Sequence, residues 1–257
     1  MQRRSFLSAA AAATVSLADA APPAPAKSAY LDFCYYYMRA GSQTERTNAY
    51  LKDVYLPAAL RAGFGPLGFF SAVVGANAPF TLAITSYPSL AALENLHDPF
   101  PGDAEFRRGW REYNSAPGYQ RLESSLLRAF DAFPAIETGP PDPKRAARLF
   151  ELRTYQGLTE DGSLRKKKMF EEGEIAIFRR LNMTPVLFGQ SVVGPNQPNN
   201  TYMLAFDDLA SRERLWKAFS ADPEWQKMRA TPGMENTELN ANTTNTILQP
   251  LAFSPLR

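Results

Sequence analysis

The strongest constraint in this sequence is internal. The chain matches itself without a gap at an offset of 119 residues over about 80 positions. Tyr36 falls on Tyr155, Arg61 on Arg180, Pro66 on Pro185 and Phe69 on Phe188. Val73-Val74-Gly75 falls on Val192-Val193-Gly194, and Asn77 and Pro79 fall on Asn196 and Pro198. Phe100, Asp103 and Glu105 meet Phe219, Asp222 and Glu224. Identity is only about a fifth, but a gap-free register with matching element types points to a duplicated unit. Residues 134–148 between the copies hold four prolines and a glycine and read as a linker.

Each copy shows the same order of elements. Strands are expected at 30–38 and 149–155. A long helix comes next, with its apolar stripe on Leu51, Val54, Ala58 and Ala62, or on Phe170, Gly173, Ile177 and Leu181. Gly63 and Asn182 stand where these helices should stop, because both residue types tolerate the left-handed conformation. Strands at 67–74 and 186–193, a Gly-Asn-Pro turn and strands at 80–87 and 201–206 come after them. A second helical stretch begins near Pro88 and Asp208, and a last strand is expected at 125–133 and 246–253. The pattern predicts an α+β fold of two tandem ferredoxin-like domains, β-α-β-β-α-β, at residues 29–134 and 146–255 with a linker at 135–145. Each sheet would have one face under helices and one bare, and the two can bury their bare faces against each other.

Composition narrows the function classes. Twenty-eight Lys and Arg against 26 Asp and Glu leave a net charge of +2, too balanced for an electrostatic nucleic-acid binder. One cysteine and one histidine exclude a disulfide framework, cysteine-rich zinc sites and multi-histidine metal centres. No metal and no cofactor is therefore expected. The chain opens with Arg3-Arg4-Ser5-Phe6-Leu7, an Ala-rich apolar stretch and Ala18-Asp19-Ala20. This resembles a twin-arginine export signal over residues 1–20 and predicts a periplasmic or secreted bacterial protein. After cleavage, no stable membrane insertion is expected, since no later run of 18 apolar residues occurs.

The segment Phe150-Glu151-Leu152-Arg153-Thr154-Tyr155, the long helix after it and the Trp216…Asp222-Pro223-Glu224-Trp225 stretch resemble a NIPSNAP domain. The first copy resembles it more loosely, with Cys34 where Arg153 stands. The resemblance implies an intrachain dimeric α-β barrel whose paired sheets enclose a cavity. That family holds mitochondrial proteins linked to vesicle traffic and mitophagy, and exported bacterial members without assigned activity.

Alternation puts Glu151, Arg153 and Tyr155 on one face of their strand and Phe150, Leu152 and Thr154 on the other. The apolar face is expected against the helices and the polar face inside the barrel, with Asp32, Cys34 and Tyr36 as counterparts. A self-satisfying Glu151–Arg153 ion pair competes with a ligand-binding role for these groups. Trp216 and His97 face each other in the repeat and complete the cavity candidates. A helix histidine ligates iron in related haem-degrading barrels, but His97 has no accompanying motif and reads as structural. Cys34 reads as a buried thiol. The charged run 165–174 reads as a solvated helix face with Lys–Glu pairs. Two functions fit this reading: a non-catalytic binding or interaction protein with a small-molecule ligand, or a metal-independent oxygenase or isomerase using the cavity between the sheets. A homo-oligomer is compatible with both.

Overall fold

The computed structural model describes residues 28–94, 99–138 and 146–257. The expected export signal, residues 139–145 of the expected linker and His97 lie outside these residues.

Eight strands form the framework: β1 (Tyr30–Tyr37), β2 (Leu67–Val74), β3 (Phe80–Tyr87), β4 (Arg121–Ala129), β5 (Leu149–Gly157), β6 (Thr184–Val193), β7 (Asn199–Phe206) and β8 (Asn240–Pro250). The repeat is visible in their pairing. Tyr36 lies opposite Thr81 and Tyr155 opposite Asn200; Phe69 lies opposite Ala83 and Phe188 opposite Tyr202. All four positions of the first copy map onto the second at the offset of 119. The last strands, β4 and β8, begin earlier than expected. Cys34 pairs with Ser124 and Arg153 with Asn245, so the offset there has grown to 121.

The sheets close on each other edge to edge. The strand order is β1-β3-β2-β8-β5-β7-β6-β4, returning to β1, so the seams between repeats are β2–β8 and β4–β6. Neighbouring strands are antiparallel throughout, which brings the β2–β3 and β6–β7 turns to the same end of the barrel. An eight-stranded barrel is just wide enough for side chains to fill. Leu31, Phe33, Phe70 and Leu82 of the first repeat meet Phe150, Leu152, Met203 and Leu248 of the second in one interior cluster.

That interior reverses the expected facing of β5. Phe150 and Leu152 point into the barrel, while Glu151, Arg153 and Tyr155 lie under the helices. The reason is the supply of partners. In the middle of a closed barrel the strands' own backbone groups are consumed by the ladders, so a charged side chain there finds few partners. Helices bring side-chain donors, and a carboxylate can be buried beneath them.

The long helix of each repeat carries the same irregularity. Ser42–Tyr50 passes through a π-helical turn, Leu51–Tyr55, before Leu56–Arg61; Glu160–Met169 passes through Phe170–Glu174 before Ile175–Arg180. The extra residue in such a turn rotates the helical residues beyond it. Both helices end at left-handed residues, Gly63 at φ 75° and Asn182 at φ 60°. Arg61 then reaches Asp103 at 2.7 Å and Arg180 reaches Asp222 at 2.9 Å. Each aspartate caps the helix after it, so one ion pair in each repeat ties the long helix to the next.

Residues 146–257 alone would expose both edges of their sheet and the apolar face that the barrel buries. Expressed separately, this segment is expected to dimerise and rebuild a closed barrel from two copies. Size-exclusion chromatography with light scattering checks this; a folded monomer at micromolar concentration contradicts it.

Candidate functional site

Beneath the helices the two repeats have diverged in one direction. The second is filled. Tyr202, Phe170 and Phe178 are wholly buried and form an aromatic block with Tyr155 and Phe188. Glu151, also wholly buried, accepts hydrogen bonds from Arg153 at 3.1 Å, from Arg212 at 2.8 and 2.6 Å, and from Trp216 and Asn245 at 2.6 Å each. Burial acts to raise its pKa, but the bonds from Arg212 and Trp216 and the charges of Arg153 and Arg212 outweigh it, holding the carboxyl below its ordinary range. The Tyr155 hydroxyl is engaged as well, by Tyr202 at 3.0 Å and Arg153 at 3.3 Å. These groups hold the second repeat together; among them only the Arg153 Nε is buried without a hydrogen-bond partner among the described residues.

Lys166 and Glu174 depart from the expected solvated face. Both are buried and paired at 2.8 Å, with the ammonium also within 4.4–5.4 Å of the ring centres of Phe170, Tyr155 and Trp225. Glu174 closes the π-helical turn, which turns it inward where a regular helix would keep it in solvent. Burial raises its pKa against the pull of Lys166.

The first repeat is hollow at the same place. Ala83 stands where Tyr202 stands, Ala59 for Phe178, Leu51 for Phe170, Cys34 for Arg153 and Thr47 for Lys166. Each exchange removes volume, and a cavity of about 440 Å³ remains. Its floor is the helix-side face of β1, with Asp32, Cys34 and Tyr36; Tyr50, Tyr55, Tyr87 and Tyr113 supply much of the wall, and Trp110 and Tyr119 stand half-exposed at its edge. The π-helical turn has a second consequence here: Tyr55, the counterpart of Glu174, turns inward and bonds Thr85 at 3.0 Å and Tyr87 at 3.4 Å.

Asp32 is the counterpart of Glu151 without three of its four partners; the fourth, Trp216, corresponds to His97, which lies outside the described residues. Arg153 has become Cys34, Arg212 has become Leu93, and Asn245 has become Ser124 across the strand pair. Among the described residues the Asp32 carboxylate has no hydrogen-bond or ionic partner, and burial pushes its pKa from 3.8 up to about 6. Burial, and then the Asp32 charge, push the Cys34 thiol up to about 12. That thiol is un-ionised near neutrality and is no nucleophile. Among the described residues no group of three His, Cys, Asp or Glu could hold a metal ion.

The structure therefore separates the sequence candidates. Asp32 and Tyr36 line the hollow of the first repeat, whereas Glu151, Arg153, Tyr155 and Trp216 form the packed network of the second. Sequence motifs do not single out the tyrosine wall. Its signal is the set of positions where the second copy is bulky and the first is small.

Residues 150–255 match the NIPSNAP family model. Over that span the second repeat is similar to the NIPSNAP family. No curated protein matches the chain. A solved candidate monooxygenase from Lactobacillus acidophilus NCFM superposes with a TM-score of 0.58 at 10% identity, over 87% of this chain and 94% of its own. One from Fusobacterium nucleatum gives 0.57 at 11% identity, over 88% and 93%. A NIPSNAP-like domain protein from Burkholderia xenovorans is 28% identical over 42% of this chain and 89% of its own, with a TM-score of 0.37. The first two show the shared fold, a dimeric α-β barrel, here made within one chain.

The lone carboxylate makes stability depend on pH in a defined sense. With its pKa raised in the folded state, Asp32 holds its proton more tightly when folded, so its contribution falls as pH rises from about 4 to about 6. Asp32→Asn is expected to stabilise the protein at pH 8 by up to about 3 kcal/mol, and to have little effect at pH 3.5. Urea unfolding at the two pH values measures this; equal effects at both would show that folding does not raise the Asp32 pKa.

Proposed function

We propose that this protein is an exported small-molecule-binding protein whose ligand site is the hollow beneath the helices of the NIPSNAP-related first repeat, with the NIPSNAP repeat as its filled, structural copy. The observation that carries the reading is Asp32: a carboxylate on the floor of an aromatic cavity, without a partner among the described residues, at a position where the other repeat surrounds its carboxylate with donors. A half-buried carboxylate with no ionic partner among the described residues gains from a ligand that supplies one. The matching ligand is flat and mainly apolar, to lie among Tyr50, Tyr55, Tyr87 and Tyr113, and carries a basic nitrogen to meet Asp32.

Aromatic amines are expected to raise the thermal unfolding midpoint of the wild type and to lose at least about tenfold in affinity with Asp32→Asn. Binding should weaken below pH 6, where Asp32 takes up its own proton. Hits that ignore Asp32→Asn, or a screen of such amines with no hit, would sink this reading.

Export rests on Arg3-Arg4-Ser5-Phe6-Leu7 and the Ala18-Asp19-Ala20 site. Replacing both arginines by lysine is expected to retain the precursor in the cytoplasm, and unchanged export in cell fractionation would point to the general secretory route.

The same carboxylate favours a second reading. A group with a pKa near 6 that faces a cavity is a competent proton acceptor near neutrality, as a metal-independent oxygenase or isomerase requires. The two fold neighbours described as candidate monooxygenases support only the availability of such a fold. Product formation from a bound ligand, abolished by Asp32→Asn, separates this reading from simple binding.

A further inference from the structure

A second cavity lies at the end of the barrel where the β2–β3 and β6–β7 turns meet. It has a volume of about 310 Å³ and is bordered by Ala76 and Asn77 of one turn and Gly194, Pro195 and Asn196 of the other. These are the turns of the repeated Val-Val-Gly-x-Asn-x-Pro sequence, which the helix-side site does not use. In both, the asparagine takes the left-handed conformation, Asn77 at φ 60° and Asn196 at φ 59°. The repeat thus builds the same rim twice, on either side of one opening.

The walls beneath that rim are not alike. The first repeat contributes Tyr35, Tyr37 and Phe80. The Tyr35 and Tyr37 rings stack at 5.9 Å and 11°, with Phe80 edge-on to both at 5.4 and 5.8 Å. At the offset of 119 the second repeat has Thr154, Gln156 and Asn199 instead, and Thr154 and Asn199 line the cavity with Thr201 and Thr246. One wall is an aromatic platform and the other carries short, uncharged hydroxyls and amides. Packing alone has no need of this asymmetry, since a duplicated barrel closes with the same apolar residues from both sides.

The polar wall is ordered before any guest arrives. Thr154 and Thr201 bond each other at 2.8 Å, Thr201 donates to Asn199 at 3.2 Å, and the Asn199 amide donates to the carbonyls of Pro195 and Asn196 in the turn. Among the described residues, the hydroxyls of Tyr35 and Thr246 have no hydrogen-bond partner. Glu123 also borders the cavity and pairs with Arg121 at 3.1 Å, and the Arg121 guanidinium lies over the Tyr37 ring at 4.2 Å. A preformed site with one apolar face, one neutral polar face and free hydroxyls suits a neutral ring that itself has a C–H face and a hydroxylated edge.

We propose that this end of the barrel is a binding site for a neutral hydroxylated ring, a pyranose sugar, seated between Tyr35 and the Thr154–Thr246 wall, with Tyr37 supporting the Tyr35 ring from behind. It is separate from the Asp32 cavity, which takes a charged partner.

Saturation-transfer NMR on the full chain with methyl β-glucopyranoside, methyl α-galactopyranoside and N-acetylglucosamine at millimolar concentration tests the proposal. The expected result is transfer to the ring C–H protons of at least one sugar. Tyr37→Ala and Thr154→Val should each weaken binding about tenfold or more, and Asp32→Asn should leave it unchanged. Tyr35→Phe removes one hydroxyl and keeps the ring; it provides the test if the other variants fail to fold, and should weaken binding at least threefold. No transfer from the folded wild type to any of the three sugars overturns the proposal. So does binding indifferent to these barrel variants, or binding lost in Asp32→Asn. Adenosine serves as the planar control; binding of adenosine without any sugar would also overturn it.

Discussion

Closure of the barrel is the constraint on which everything else in this molecule rests. Each repeat makes a four-stranded sheet with two unpaired edges, and an open edge is a hazard in any exported or cytosolic protein. Joining β2 to β8 and β4 to β6 satisfies all four edges within one chain. The same closure creates an interior that accepts only apolar side chains over most of its length, because the ladders leave no backbone group free. Polar residues on alternate strand positions are thereby driven outward, under the helices. The division between an inert barrel core and a chemically active helix side comes from that one act of pairing.

Duplication then gives freedom to specialise. With two copies sharing one core, one can provide rigidity while the other gives up packing. The second repeat keeps the aromatic block of Phe170, Phe178 and Tyr202, the five hydrogen bonds on Glu151 and the buried Lys166–Glu174 pair. The first has exchanged these for Leu51, Ala59, Ala83, Cys34 and Thr47. Removal of that much buried volume destabilises a domain that must stand alone, at roughly 2–5 kcal/mol per large-to-small exchange where the site cannot collapse. Here the new tyrosines partly rebuild the wall. Tyr50 stacks on Tyr113 at 4.1 Å, and Tyr113 bonds Thr47 at 2.9 Å, so the hollow has a defined lining rather than a slack one.

The two carboxylates show how environment sets chemistry at equivalent positions. Glu151 and Asp32 occupy the same strand position in the two repeats, Glu151 wholly buried and Asp32 half-buried at the cavity floor. Donors from Arg212, Trp216 and Asn245 hold Glu151 ionised, whereas Asp32, with no donor among the described residues, is pushed by burial to a pKa of about 6. The residue type is nearly the same in both copies while its role changes completely, from a structural anchor to a titrating group facing a cavity.

Much of the architecture was legible in the sequence because it was written twice. The offset of 119, the stop signals at Gly63 and Asn182 and the strand pattern determine two ferredoxin-like units with matching registers. The sequence could not say which face of β5 looks inward. Alternation separates Glu151, Arg153 and Tyr155 from Phe150 and Leu152 but is silent on which set meets the helices. That depends on where donors such as Arg212, 61 residues away, arrive in space. Nor could it show Lys166 and Glu174 as buried, since the π-helical turn between them breaks the periodicity on which a solvated face is inferred. The hollow was present in the sequence only as a difference between copies, small residues opposite large ones. Tertiary structure alone made that difference a cavity, because only the fold brings Cys34 and Ala83, far apart along the chain, to border one volume.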